Sequence, residues 1–483
     1  MIEKLRRSTL VAAVCLATLL TARATRADSD SVSAGIKAFN KGDFTAAIAS
    51  FTAAIKQRPT EAALYAWLGS AQLRAGRYPD AVTSLNQAIG LDPKMPEAHN
   101  NLGSAYWALK KPAEAIRHYQ QAIDLQPHYP SPHYNLGLAY LAGKQDDLAI
   151  GEFTATTALD PKNADAFNNL GVASEHKKLF PEAVAAYRKA VELAPDNHTF
   201  ALNLALVLWA SGRKDEAQAE FAKLAAAGTK LPEVYLNLGL IHFEQKRYQA
   251  GMDTFRQALA LDPKNWEAAY DLGLCAQQLG KQEEAKAAFL KAVSLNPKAA
   301  NAYINLGAMD LEAGEAGKAL ERFTAALKYS PNNPSAAFNL GLAYQRLGQD
   351  KEAAAIWQKL VEASPDDPAF REALASSYFR LHRYDEAKRE YRALLRLHPG
   401  EVTAHNNLGI IYEAAGQFDQ AVASYRAALA INPKYAPAHN NLGVVYERQG
   451  KREEAIAAYR EALKADPGMQ DARSNLERLV PAE

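Results

Sequence analysis

The chain has 483 residues, 48% of them hydrophobic, with 55 Lys and Arg against 54 Asp and Glu. That is ample apolar surface for a core, and no basic face of the kind that nucleic acid requires follows from the even charge, so no nucleic-acid partner is expected. Two cysteines, Cys15 and Cys275, exclude a disulfide framework, so stability has to come from packing.

Met1–Ala27 reads as a secretory signal peptide. Lys4, Arg6 and Arg7 make a positive start, and Thr9–Leu20 is a largely apolar run too short to span a bilayer comfortably. Cleavage fits after Ala22-Arg23-Ala24 or after Thr25-Arg26-Ala27. An uncleaved anchor or a transit peptide is the alternative. A twin-arginine signal fits poorly around Arg6-Arg7, and Val14 before Cys15 is wrong for a lipoprotein. Ordinary cleavage implies an exported chain, in the periplasm or cell envelope if the source is bacterial, with no integral membrane span afterwards. Removing the leader's five basic residues and Glu3 leaves 50 basic against 53 acidic side chains. Cys15 leaves with it, and Cys275 has no partner.

From Asp28 to Met469 one pattern returns every 34 residues, thirteen times. Ala98–Pro127 reads AHNNLGSAYWALKKPAEAIRHYQQAIDLQP, Ala404–Pro433 reads AHNNLGIIYEAAGQFDQAVASYRAALAINP, and Ala438–Pro467 reads AHNNLGVVYERQGKREEAIAAYREALKADP. Such a period means a stack of small units, none of which can bury its apolar face alone. In the unit Ala62–Met95 the spacing predicts helices over roughly Ala63–Arg74 and Pro79–Gly90, with Gly76 in the turn and Pro93 at the end. Numbering each unit from its first residue, position 8 is usually Gly (Gly35, Gly69, Gly103 and on to Gly443) and position 20 Ala (Ala47, Ala81, Ala115 and on to Ala455). Leu at position 7 and an aromatic at position 24, such as Phe51, Phe153 or Tyr391, fill the space between them. A larger residue at position 8 or 20 would overpack the helix contact. Two units depart from the pattern. In His198–Leu231, Ala205 replaces the Gly and Thr229 stands where Pro is expected; in Pro368–Glu401, Ala373 and Ala375 flank Leu374. Both are expected to change the local curvature. After the last unit, Gln470–Val480 reads as a further first helix with a polar outer face, a cap on the array.

The 34-residue period, the Leu-Gly pair, Ala at position 20 and the terminal Pro resemble the tetratricopeptide repeat (TPR) across residues 28–469. The resemblance implies an all-α fold, a right-handed superhelical α-solenoid of helix-turn-helix units, with residues 1–27 as leader and 470–483 as capping helix and tail. It also implies that first helices line a concave groove and that the chain binds protein or peptide partners.

Position 6 of that first helix is Asn101, Asn135, Asn169, Asn203, Asn237, Asn305, Asn339, Asn407 and Asn441, with Asp271 between. A primary amide offers an acceptor oxygen and two N–H donors, which suits an extended peptide backbone whatever its sequence. The row resembles the asparagine ladder in the TPR superhelix of O-linked N-acetylglucosamine transferase, without its catalytic domain. The alternative is that these amides are merely solvated. Apolar side chains join them at positions 5, 9 and 12: Tyr134, Leu138 and Leu141; Leu202, Leu206 and Trp209; Leu236, Leu240 and Phe243, flanked by Trp107 and Tyr270. Leucines at position 9 also suit packing between first helices, which makes Trp107, Trp209 and Phe243 the better binding anchors. The carboxylate clamp of some TPR domains is argued against, because positions 2 and 5 are never Lys and position 9 is never Asn.

The chain contains no Gly-rich phosphate loop, no His-Glu-x-x-His and no zinc-type Cys pair. His99, His133, His405 and His439 all fall at position 4, where a bulky ring is structural, and pairs such as Glu283-Glu284 begin second helices, where the dipole favours acids. The expectation is a non-catalytic scaffold or adaptor without a cofactor or metal. Its groove would hold an extended segment of a partner, as part of a membrane-associated complex if the envelope location holds. Two alternatives stay open: an assembly factor acting through the convex face or self-association, and an accessory protein of envelope polysaccharide export.

Overall fold

The computed structural model describes residues 26–480, and among them are twenty-seven α-helices and no strand. The expected leader lies outside the described residues except for Arg26 and Ala27, with which the first helix begins. The chain divides into two compact blocks, Met1–Ile241 and His242–Glu483.

The N-terminal block holds α1 (Arg26–Asn40), α2 (Phe44–Gln57), α3 (Ala62–Arg74), α4 (Tyr78–Leu91), α5 (Pro96–Ala108) and α6 (Pro112–Leu125). It continues with α7 (Pro130–Ala142), α8 (Asp146–Leu159), α9 (Ala164–His176), α10 (Phe180–Leu193), α11 (His198–Ala210) and α12 (Lys214–Ala226). The division falls within α13 (Pro232–Glu244). The C-terminal block holds α14 (Tyr248–Leu261), α15 (Trp266–Gln278), α16 (Gln282–Leu295), α17 (Ala300–Glu312), α18 (Ala316–Tyr329), α19 (Pro334–Arg346) and α20 (Asp350–Ala363). It ends with α21 (Pro368–Arg380), α22 (Tyr384–Leu397), α23 (Val402–Ala414), α24 (Phe418–Ile431), α25 (Ala436–Arg448), α26 (Arg452–Ala465) and α27 (Gln470–Leu479). From α1 to α12, and again from α14 to α27, each helix packs on the next. This is the helix-pair stack that the period requires. Both helices of the unit Ala62–Met95 start one residue before the expected bounds, the second also ends one residue past its own, and α27 stops at Leu479, one residue short.

Close packing inside a repeat comes from positions 8 and 24. A Cβ on Gly103 would sit 2.7 Å from the Tyr119 ring, one on Gly137 2.8 Å from Phe153, and one on Gly443 2.6 Å from Tyr459. These rings are buried, as are the position 20 alanines beside them. The missing side chain of one helix therefore makes room for the ring of the other.

The turn between the two helices is a Schellman motif. The Arg77 N–H donates to the Gln72 carbonyl at 2.8 Å, and Lys111 to Tyr106 and Lys451 to Tyr446 at 2.9 Å. The residue at position 15 must then be left-handed. Gly76 (φ 75°) is one of eight glycines that meet this need easily, but Lys110, Lys144, Lys178, Lys246 and His382 adopt φ of 57–61° in the same place. Packing on both sides holds the turn even where glycine is absent.

The unit His198–Leu231 departs at its end rather than in its middle. Helix α12 stops at Ala226, Gly228 is left-handed at φ 65°, and Thr229 is buried, its carbonyl accepting from the Tyr235 hydroxyl at 3.2 Å. Ala205 still packs in the core with Phe221 buried, so the extra methyl is accommodated. The unit Pro368–Glu401 keeps both helices, with Ala375 and Tyr391 buried as in its neighbours.

Candidate functional site

Several first helices touch the next first helix as well as their own partners: α3 with α5, α5 with α7 and α7 with α9 in one block, and α17 with α19, α23 with α25 and α25 with α27 in the other. This close spacing brings position 6 of one repeat to position 5 of the repeat before it. The Nδ2 of Asn135 donates to Asn100 Oδ1 and that of Asn203 to Asn168 Oδ1, both at 2.9 Å. Asn441 donates to Asn406 at 3.1 Å, and Asn475 in α27 to Asn440 at 3.2 Å. Where position 5 is tyrosine the hydroxyl accepts instead: Asn169 to Tyr134 at 3.1 Å and Asn305 to Tyr270 at 3.4 Å.

The amide row is thus a set of clasps between neighbouring repeats, each contributing about 1 kcal/mol net. It is not a line of solvated side chains. Variations follow the same logic. Asn101 reaches Ser70 Oγ at 2.9 Å because position 5 before it is Ala66, and Asn407 donates to the Tyr391 hydroxyl at 3.1 Å. Asn237 follows Leu202, which offers no acceptor, and turns back to the Glu233 carbonyl of its own helix at 2.7 Å. Asn339 likewise follows an apolar position 5, Ile304. Tyr134 and Tyr270, expected as apolar groove residues, serve instead as acceptors, and Asn100, Asn168, Asn406 and Asn440 are partners that the position 6 row alone does not mark. The signal for them is in the sequence, since a polar position 5 precedes most of the asparagines by 35 residues.

Asp271 is the acidic exception in the row. Burial raises its carboxyl to about 6, and Glu267 one turn earlier pushes the same way. Burial also raises the Cys275 thiol, one turn further on, to about 12, which leaves that buried cysteine unreactive.

The three expected anchors are all partly buried. Trp107 packs in the cluster that holds Tyr134 and Leu138. Lys214 Nζ lies 4.6 Å from the centroid of the Trp209 ring, and Phe243 meets Tyr248 edge-on with ring centroids 5.5 Å apart. Each offers part of an aromatic face while the rest is fixed by its own surroundings.

The position 4 histidines turn a ring nitrogen to the carbonyl of the preceding terminal proline: His133 to Pro127 at 3.0 Å, His405 to Pro399 at 3.1 Å and His439 to Pro433 at 2.9 Å. Arg371 and Arg473 do the same with guanidinium groups. These side chains join one repeat to the next. No group of three or more metal-ligating side chains occurs among the described residues, and no described helix is long and apolar enough to cross a membrane.

Stacked helix pairs with a glycine-ring wedge inside most repeats and amide clasps between many of them define an α-solenoid scaffold. Models of the tetratricopeptide repeat match residues 33–96, 68–130, 100–158, 134–198, 202–265, 372–436 and 411–470, and a second such model matches 242–309 and 310–377. The chain belongs to the tetratricopeptide repeat family, whose members are protein–protein interaction scaffolds and generally non-catalytic. No curated protein matches it. Among solved structures it is similar to the APC/C hetero-tetramer Cut9-Hcn1, with 16% identity over 95% of this chain and 97% of that one and a TM-score of 0.39. It is also similar to MamA, with 31% identity over 36% of this chain and 94% of that one and a TM-score of 0.32. A thermophilic TPR protein of Thermus thermophilus shares 26% identity over 38% of this chain and 100% of that one, with a TM-score of 0.33.

Proposed function

We propose that this scaffold is exported and holds an extended segment of a partner protein along its first helices. The position 6 amides would meet the partner's backbone, and Trp107, Trp209 and Phe243 its side chains. The observation that carries this reading is how the amides are used. Each clasp commits one N–H of Nδ2, so at the half-buried Asn135, Asn203 and Asn441 the second N–H, and the oxygen wherever no neighbour donates to it, are left for a bound chain. A rung already fixed by the fold loses little entropy when it binds, which favours affinity. Export rests on the leader Met1–Ala27.

The clasps decide which variants test it. Asn169→Ala and Asn203→Ala would weaken repeat packing as well as any groove, whereas Asn237 bonds only within its own helix. The test is a crosslinking pull-down from envelope extract with the full chain and with a Trp209→Ala, Asn237→Ala, Phe243→Ala variant. Circular dichroism would first establish that the helices are kept. Partners lost with the variant support the groove, and partners retained at full yield move the binding surface to the second helices or the array ends.

A further inference from the structure

Between α20, the end of α21 and the turn after it lies a cavity of about 320 Å³, edged by Lys351, Gln358, Tyr378 and Arg383 over the apolar side chains of Ala354 and Leu381. It is built from the second helix α20, the last turn of the first helix α21 and the turn that follows it, away from the position 6 amides. Lys351 occupies position 18, the second residue of the second helix. Elsewhere that position is Asp147, Asp215, Gln249, Glu283, Asp385, Asp419 or Glu453, or else an uncharged Thr45, Pro79, Ala113, Pro181 or Gly317. Lys351 is the only cation at this position of the thirteen units. A positive charge in the first turn of a helix opposes the dipole, so nothing local favours it.

Two other repeats show position 18 accepting a hydrogen bond from a cation. Asp147 accepts from Lys177 Nζ at 2.9 Å, and Gln249 Oε1 accepts from Lys281 Nζ at 3.0 Å, both lysines lying in the turn region of the following repeat. Arg383 holds the place of Lys281. In this one crevice, then, two cations face each other where other repeats set an acceptor against a cation. Arg383 is held over the Tyr378 ring, 4.5 Å from its centroid, and bonds Glu386 Oε1 at 2.9 Å. Of the two acids that flank Lys351 in sequence, Asp350 is paired with Arg380 at 2.8 Å, and Glu352 makes no ion pair with Lys351. Lys351 itself is exposed and forms no ion pair among the described residues. Lys351 therefore breaks its local rule without a compensating contact, a departure that functional sites share.

We propose that this crevice is a second docking site, which takes a glutamate or aspartate side chain from an extended acidic segment of a protein partner. The carboxylate fits between Lys351 Nζ and the Arg383 guanidinium, and its aliphatic stem fits against Ala354 and Leu381. The site does not depend on the amide row, so failure of one leaves the other standing.

The test is fluorescence anisotropy of the full chain with a fluorescein-labelled peptide of alternating Glu and Ala at low ionic strength. Saturable binding is expected. Lys351→Glu, which restores the ordinary charge at position 18, should weaken it by about tenfold, because attraction becomes repulsion. Lys359→Glu, an equal charge change on the same helix away from the crevice, should alter it by less than about twofold. Equal losses in the two variants, or no saturable binding by the unmodified chain, overturn the proposal. A competition arm separates the anion's source. Displacement by inorganic phosphate but not by acetate at matched ionic strength would show a phosphate site and also overturn it.

Discussion

His99 and His118 meet through their Nδ1 atoms, 3.2 Å apart, in the buried contact between α5 and α6. His99 Nε2 lies 3.3 Å from the Pro93 carbonyl, and Arg117 Nη2 lies 3.3 Å from His118 Nε2. One proton arrangement satisfies all three contacts: Arg117 donates to His118, His118 donates to His99, and His99 donates to the carbonyl. Both rings must then be neutral. Burial, Arg117 and His99 lower His118 to about 4, and burial lowers His99 as well, against the pull of its bond to Pro93. The unfolded chain takes up these protons near the ordinary value of 6.5, whereas the folded pair resists them. Stability is therefore full above that value and falls as the pH drops from 6.5 towards 4. His133 has the opposite sign. Its bond to Glu152 at 2.7 Å raises it, so its contribution is present below the ordinary value and fades as pH rises through the raised one. His118→Phe keeps a ring beside Tyr106 and removes the depressed group. Thermal unfolding at pH 7 and pH 4.5 should show a smaller acid-induced fall in Tm for the variant than for the unmodified chain. Equal falls would mean that the pair carries none of the dependence. At this scale the sequence is only half legible. The amides stand out as a row, but their partners lie 35 residues earlier and emerge only when two neighbouring repeats are compared at offset positions.

Helix pairs are legible because their determinants recur. Gly at position 8 and a ring at position 24 repeat often enough to name the contact before any coordinate is seen, and the distances confirm it. Glycines of the same chain with no such duty provide a matched control. Gly103→Ala would place a methyl 2.7 Å from the Tyr119 ring and should cost about 1–3 kcal/mol. Gly151 lies inside α8 with nothing within 4 Å of its Cβ position, so Gly151→Ala should stabilise by about 0.5–1 kcal/mol. Urea unfolding of the two variants should move in opposite directions; parallel shifts would refute the wedge. The left-handed lysines at position 15 are hidden for a physical reason. A Schellman turn needs a backbone conformation rather than a residue type, and flanking helices can impose it on lysine.

At the scale of the molecule, the end of the array has its own arrangement. Leu476 and Leu479 of α27 pack on the last core cluster, Asn475 continues the amide clasp to Asn440, and Arg478 pairs with Glu447 at 2.7 Å. A chain ending at Met469 would uncover α25 and α26. Their opening free energy should fall by about 2 kcal/mol, the contribution of burying one to two leucines in part. Native-state hydrogen exchange should show this loss in α25 and α26 while α15 and α16, in the same block, keep their protection. Uniform loss across the block would mean that it unfolds as one cooperative body rather than repeat by repeat.

The two kinds of contact also separate cleanly by where they act. The glycine-ring wedge and the turn close within a repeat, while the amide clasp and the ring or guanidinium on the proline carbonyl recur at one register between repeats. A joint shared by several seams, such as Asn135 to Asn100, Asn203 to Asn168 and Asn441 to Asn406, does not record which repeat stands on either side. Copying or deleting a whole 34-residue block between two such seams would leave a matching seam behind, so at those places this scaffold can change length without having to redesign its fold.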